Sequence, residues 1–314
     1  MRTITLFDTS VSTDNLGDEI IIDAVHDVIR EVFPDAYVFR VPSHDRIGEQ
    51  SRSLIAKSDL SIVGGTNLLQ PNMLARKALW KLGLADVLKL KSVVLLGVGW
   101  RDYTHPMRPQ TRMVLDRILH RGFVHSVRDG YTAEKLKGVQ ARVSNTGCMT
   151  MWRLDPERCA RIPRRRAPAV VTTLTYYRGN PTADRRMLEL LKAKYGSVAF
   201  WPQQRDDLDY MRSLGVEGIE LIMPRTDAFN AALDQDVDFV GTRLHGGVRA
   251  LQKGRRALIV TIDNRATEIA RDTNLPTVLR GDDDAIARWI DGDTPTEIRL
   301  PTEAITAWKA QFRG

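Results

Sequence analysis

Short apolar runs recur along this chain with almost no alternation of apolar and polar residues, and this restricts the fold more than any other feature. A strand with one wet face alternates; a strand buried on both faces does not. Thr3–Phe7, Asp59–Val63, Ser92–Gly97 and Phe123–Val127 are runs of this kind. Ala169–Leu174, Ser197–Phe200, Val237–Val240 and Ala257–Ile262 are four more. Helical stretches lie between them. Gly17–Phe33 carries Ile21, Val25, Val28, Ile29 and Val32 on one stripe at helical spacing. Arg112–His120 and Leu244–Lys253 behave similarly. Strands alternating with helices predict βαβ units, hence an α/β fold on parallel sheets.

At 314 residues the chain has room for about two such domains. Arg161-Ile-Pro-Arg-Arg-Arg-Ala-Pro168 precedes a fresh strand and reads as the junction, giving expected domains 1–163 and 164–314. Its arginines suit a solvated linker better than a phosphate or lipid contact. The final helical stretch, Thr302–Phe312, lies beyond the second set of βα units. The halves also echo one another: Asp59 to Gly64 and Asp236 to Gly241 share the pattern Asp, three residues, Val, Gly. Two Rossmann-like domains would place both glycine turns at the carboxyl ends of strands, where ligands of open α/β sheets bind.

The formal charge is +7, from 46 Lys and Arg against 39 Asp and Glu, which favours an acidic partner without naming one. Two cysteines, Cys148 and Cys159, form no CxxC pair, so a zinc site is not expected and a reducing compartment is. Asp8 falls too early for a secretory signal, and no apolar run approaches the roughly 18 residues of a membrane span. The expectation is a cytoplasmic protein able to touch a membrane surface peripherally. No nucleic-acid module is present, so no nucleic-acid partner is expected.

Five segments could carry chemistry. Asp14-Asn15-Leu16-Gly17-Asp18-Glu19 opens the first helix; Asn15 or Asp18 could cap it, and Gly17 admits close approach to its free N–H groups. Gly64-Gly65-Thr66-Asn67 pairs two permissive glycines with two polar side chains at a strand end. The similar Gly97-Val-Gly99-Trp100 ends in a tryptophan better suited to the core. Arg128, in Ser126-Val-Arg128-Asp129, sits at a strand mouth, either to bind an anion through its fork or to pair with Asp129. Gly241-Thr242-Arg243-Leu244-His245-Gly246-Gly247 follows a strand and opens a helix, setting a fixed positive charge beside an imidazole. Asp263, in Thr261-Ile-Asp263-Asn264-Arg265, is either a helix cap or a partner for His245 or a hydroxyl. No GxGxxG or GxxxxGK[ST] loop occurs, which argues against NAD and P-loop sites.

Taken in order, these segments resemble the polysaccharide pyruvyl transferase family. Asn15-Leu-Gly-Asp-Glu19, Ile62-Val-Gly-Gly-Thr66, Ser126-Val-Arg-Asp129, Asn145-Thr-Gly147 and Thr242-Arg-Leu-His245 carry the resemblance across most of residues 2–280. It implies a GT-B-like architecture of two Rossmann-like domains facing across a cleft. It also implies transfer of pyruvate from phosphoenolpyruvate, as co-substrate, onto two hydroxyls of a sugar. The product is a cyclic ketal on a cell-surface polysaccharide, a glycan or a lipid-linked precursor. The family's Arg-Leu-His falls on Arg243, Leu244 and His245, making Arg243 and His245 the expected catalytic pair. Donor contacts extend to Gly246 and Arg128. Acceptor contacts are expected from Asn15, Gly17, Asp18, Gly64, Gly65, Thr66, Asn67 and Asp263. The chain departs from the family where a third glycine often follows Gly64-Gly65, and where many members carry Tyr-Asp in place of Asp263-Asn264-Arg265.

The residues suit that chemistry. Phosphoenolpyruvate presents a carboxylate and a phosphate, which call for guanidinium groups and free backbone N–H groups. An imidazole titrates near neutrality and can move a proton. No cofactor and no metal site are assigned. The alternative is a GT-B glycosyltransferase with a nucleotide-sugar donor, whose phosphates Arg243 could equally hold.

Overall fold

The computed structural model describes residues 1–90, 92–101, 103 and 105–313. It divides into two compact units. The first comprises Met1–Thr13, Ile21–Trp152 and residues 300–313; the second comprises Asp14–Ile20 and Arg153–Arg299.

Four parallel strands build the first unit's main sheet: β1 (Thr3–Asp8), β2 (Tyr37–Pro42), β3 (Leu60–Gly64) and β4 (Val93–Leu96), in the order β2-β1-β3-β4. The helix Leu16–Val32 buries the expected stripe of Ile21, Val25, Val28, Ile29 and Val32. A parallel pair, β5 (Val124–Val127) and β6 (Arg142–Asn145), lies beside β4. Between β4 and β5 the central bonds run to side chains. The Leu95 N–H donates to His125 Nδ1 at 3.2 Å, and the Gly97 N–H donates to Ser126 Oγ at 2.8 Å. Isolated bridges, Val93 with Leu119 and Val98 with Val127, flank them. His125 Nε2 lies 3.0 Å from the His120 carbonyl, so Nε2 holds the proton and Nδ1 accepts. Burial pushes this ring's pKa down to about 4, which keeps it neutral and the arrangement intact at pH 7.

The second unit is a six-stranded parallel sheet. Its strands are β7 (Ala169–Thr173), β8 (Ser197–Phe200), β9 (Glu220–Leu221), β10 (Val237–Gly241), β11 (Ala257–Thr261) and β12 (Thr277–Leu279). Their order is β12-β11-β10-β7-β8-β9. The chain builds outward from β7 through β9, then returns to β7's other side with β10. That reversal makes the β7/β10 carboxyl ends the switch point of this sheet, and β1/β3 is its counterpart in the first.

The unit boundaries differ from the expected 163/164 junction. The chain changes units after Trp152, because Arg158 donates to the Gln252 carbonyl and the Thr294 N–H donates to the Arg164 carbonyl. The arginine run is not a free linker. Arg164 and Arg165 pair with Asp293 at 2.6 and 3.2 Å, and Arg166 pairs with Asp291 at 3.3 Å. The last helix, Thr302–Ala310, returns to the first unit. There Gln311 bonds the N–H and carbonyl of Val124 at 2.7 and 3.0 Å, and Phe312 packs on Phe33, Phe123 and Trp308.

Candidate functional site

Each unit carries a buried arginine just beyond a strand end, and the two are held differently. In the second unit, Arg243 occupies the position just before the helix Leu244–Gln252 and is 4% exposed. Gly241 lets β10 end against β7: a Cβ there would lie 2.6 Å from the Thr173 nitrogen. Thr173 Oγ1 then accepts the Arg243 N–H at 3.2 Å. The guanidinium closes on Asp207, with Nε 3.0 Å from Oδ2 and Nη2 2.5 and 2.6 Å from the two oxygens. Nε also donates to the Leu174 carbonyl at 3.2 Å, and Nη2 to Gln204 Oε1 at 2.8 Å. The Tyr177 ring lies 5.2 Å from the guanidinium carbon.

Asp207 is wholly buried at the start of the helix Arg205–Ser213, where it also accepts the Gln204 and Tyr176 N–H groups. Burial pushes its carboxyl up, while the Arg243 charge and these donors pull it back. Sequence reasoning missed Asp207 and Gln204. The signal was there: Gln204-x-x-Asp207, four residues beyond strand β8, has capping-box spacing at a strand-to-helix junction.

His245 stands in the first helical turn and is buried. The helix ladder begins with the Gly247 N–H donating to the Arg243 carbonyl, so the Leu244 and Gly246 N–H groups have no acceptor within the helix. Gly246 and Gly247 serve packing as well. A Cβ at Gly246 would lie 3.2 Å from the Phe239 ring, and one at Gly247 2.4 Å from Ile259.

Asn15 and Gly17 stand beside this arginine network in the second unit. Asn15 Oδ1 accepts the Gly17 N–H at 3.1 Å and the Gln203 amide at 2.7 Å. Gln204 Nε2 reaches Asp14 at 3.0 Å. A Cβ on Gly17 would lie 2.5 Å from Gln203 Nε2, so here glycine admits a protein side chain. Asp18 is buried in the first turn of that helix. Asp263 caps the helix Asn264–Thr273 and pairs with Arg265 at 2.6 Å; Arg265 in turn donates to the Tyr177 hydroxyl at 2.8 Å.

In the first unit, Arg128 follows β5 and is 2% exposed. Its Nε donates to Asp129 Oδ2 at 2.9 Å, while Nη2 is buried with no hydrogen-bond partner. Asp129 has its own work as the cap of the helix Gly130–Lys135, accepting the Thr132 N–H and hydroxyl. Gly99 makes room for the guanidinium; a Cβ there would lie 2.3 Å from Arg128 Cζ. Trp100 is a core residue, fully buried.

At the β1/β3 mouth, Gly64 makes room for Val25, which a Cβ would meet at 2.8 Å. Gly65 and Thr66 take φ of +68° and +53°. A β-branched residue with positive φ is strained. Asn67 Oδ1 and Thr9 Oγ1 are buried there without partners, and Asp8 is held by Arg40 at 2.5 Å and by Ser10. Asp8 and Thr9 escaped the sequence reading because β1 was read as an apolar run ending at Phe7. Among the described residues, no three His, Cys, Asp or Glu side chains converge as metal ligands.

Comparison with known proteins adds a family and a fold. A family model described as polysaccharide pyruvyl transferase matches residues 15–264. No curated protein matches the chain in sequence. Among solved structures, UDP-GlcNAc 2-epimerase from Methanocaldococcus jannaschii, in complex with UDP-GlcNAc and UDP, superposes with a TM-score of 0.55. It is 10% identical, and the match covers 100% of this chain and 98% of that one. MnaA from S. aureus, in a co-structure with UDP, gives 0.50 at 12% identity over 93% and 88% of the two chains. These likenesses establish a GT-B-like α/β fold.

Proposed function

Since the chain belongs to the polysaccharide pyruvyl transferase family, we propose that it transfers pyruvate from phosphoenolpyruvate to two hydroxyls of a sugar, closing a cyclic ketal. The acceptor is a sugar of a polysaccharide or of its lipid-linked precursor. The observation that carries the donor assignment is Arg128 Nη2, buried without an acceptor in a chain of this family. A buried donor left unmet costs about 1–3 kcal/mol, which a bound carboxylate or phosphate would recover.

In the proposed reaction, Arg243 and the N–H groups of Leu244 and Gly246 receive one anionic group of the donor. Arg128, in the first unit, is the other candidate for an anionic group of the donor. Asp207 and Gln204 hold the Arg243 fork in place. The enol methylene takes a proton, with His245 as the acid, and becomes the methyl group of the ketal. One sugar hydroxyl bonds to the carbon that bears the phosphate and gives its proton to the His245 imidazole, restoring the acid. The second hydroxyl displaces inorganic phosphate at the same carbon, and its proton leaves with the phosphate. Gly64, Gly65, Thr66 and Asn67 are proposed on the acceptor side, supported by the strained Thr66 and the unpartnered Asn67 oxygen. Asn15, Gly17, Asp18 and Asp263 are assigned to the acceptor on the resemblance alone. Phosphoenolpyruvate is the proposed co-substrate, and no cofactor is assigned.

Calorimetric titration of phosphoenolpyruvate, UDP and GDP tests this reading. Wild type should bind phosphoenolpyruvate, Arg128→Gln should bind it at least tenfold more weakly, and His245→Ala should bind it yet release no phosphate with acceptor present. Binding of a nucleotide in place of phosphoenolpyruvate would move the assignment to a glycosyltransferase.

A further inference from the structure

The chain's surplus charge is concentrated in one stretch. Of its 46 Lys and Arg and 39 Asp and Glu, residues 70–121 hold ten and three; the remaining 36 and 36 cancel. The same stretch, within the first unit, holds five of the eleven large hydrophobic side chains exposed among the described residues: Leu74, Leu84, Leu88, Tyr103 and Met113. Exposed apolar side chains gathered in one place mark an interaction surface, whereas singly scattered ones do not.

The geometry gathers three of them, Leu84, Leu88 and Met113. Leu84 and Leu88, 67% and 62% exposed, stand one turn apart on one face of the helix Leu84–Lys89. Arg117 Nη2 donates to the Leu88 carbonyl at 2.8 Å, tying that helix to the neighbouring helix Pro109–Ile118. Met113, 71% exposed, is one turn before Arg117 on the same face. At the start of that second helix, the Arg108 N–H donates to the Pro71 carbonyl at 3.1 Å. Beside this bond lies an open cavity of about 610 Å³ lined by Arg101, His105 and Arg108 with Gln70, Pro71 and Asn72.

We propose that this face docks on an anionic membrane surface. Leu84, Leu88 and Met113 enter the headgroup boundary, the surrounding Lys and Arg meet lipid phosphates, and the Arg101–His105–Arg108 hollow seats one phosphate headgroup. The charge complements a bilayer rich in anionic lipid, and the apolar side chains separate a bilayer from a soluble polyanion. The arginine run 161–166 is not assigned this role, since each of its arginines is already paired: Arg161 with Glu157, Arg164 and Arg165 with Asp293, and Arg166 with Asp291.

Co-sedimentation of the full chain with vesicles tests this, comparing phosphatidylcholine alone with phosphatidylcholine and phosphatidylglycerol in equal parts. Binding is expected only to the second, weakening as salt rises. Lys89→Glu and Arg108→Glu should each weaken it about fivefold or more. The double variant Leu88→Ser, Met113→Ser should weaken it severalfold with an unchanged unfolding midpoint, and Arg161→Glu should change nothing. Wild-type binding to neither vesicle overturns the proposal. So does the double serine variant binding like wild type while heparin competes it off, because that describes polyanion binding.

Discussion

Arg128 and Arg243 look alike in sequence, each at the end of a buried strand and the start of a helix, yet the fold treats them oppositely. Arg243 meets a buried carboxylate with both Nε and Nη2, and a glutamine takes a further bond. Arg128 touches its carboxylate through Nε alone and keeps Nη2 buried without an acceptor. A guanidinium whose charge is matched by the protein fixes the shape of a site. One whose hydrogen-bonding capacity is left unmet adds affinity for an anion. On the proposed reading, Arg243 is the anion contact held in a fixed geometry, and Arg128 is the one with hydrogen-bonding capacity to spare.

The largest expected effect tests the Arg243 half of that comparison. Arg243→Ala leaves Asp207 buried without its cation and should cost about 3–5 kcal/mol in urea unfolding. Arg128→Ala leaves Asp129 with both Thr132 donors and should cost only about 1–2 kcal/mol. Equal losses would break the comparison.

Next in size is a pH effect confined to the Arg128 unit. The folded pKa of His125 is depressed from 6.5 to about 4 by burial, so the unfolded chain takes up the proton first. The stability contributed by the neutral ring is complete above pH 6.5 and is lost as pH falls toward 4, amounting to about 3 kcal/mol. Unfolding measured across that window should show the slope, and His125→Gln should remove most of it.

Smaller still, Gly99→Ala would push the Arg128 guanidinium aside and should weaken phosphoenolpyruvate roughly tenfold, read by calorimetry, with Arg243 undisturbed. Last, Thr66→Gly relieves the positive φ and should shift stability by less than about 1 kcal/mol. An acceptor KM that rises several-fold in the same variant would mark Thr66 as a contact for the sugar.

Much of this architecture was legible before any coordinates. The eight apolar runs correspond to β1, β3, β4, β5, β7, β8, β10 and β11. The strands that escaped, β2, β6, β9 and β12, are all edge strands with partly exposed residues, so they carry no apolar run to read. Arg128, Arg243 and the Gly64–Asn67 turn could be found because strand ends and glycines mark them. Asp207 could not be paired with Arg243 from sequence, because the bond joins residues 36 positions apart through tertiary packing alone. The same holds for Gly99, whose missing Cβ has meaning only once Arg128 lies over it.

The junction between β4 and β5 has an evolutionary side. A backbone carbonyl is present whatever residue a codon specifies, so an ordinary sheet ladder survives almost any substitution except proline. Here the acceptors for Leu95 and Gly97 are an imidazole nitrogen and a serine oxygen. A single-nucleotide change at position 125 or 126 can delete one of them. The central part of the hold between these neighbouring strands is thus written in the genome as side chains, between flanking backbone bridges, and that part is open to mutation and selection.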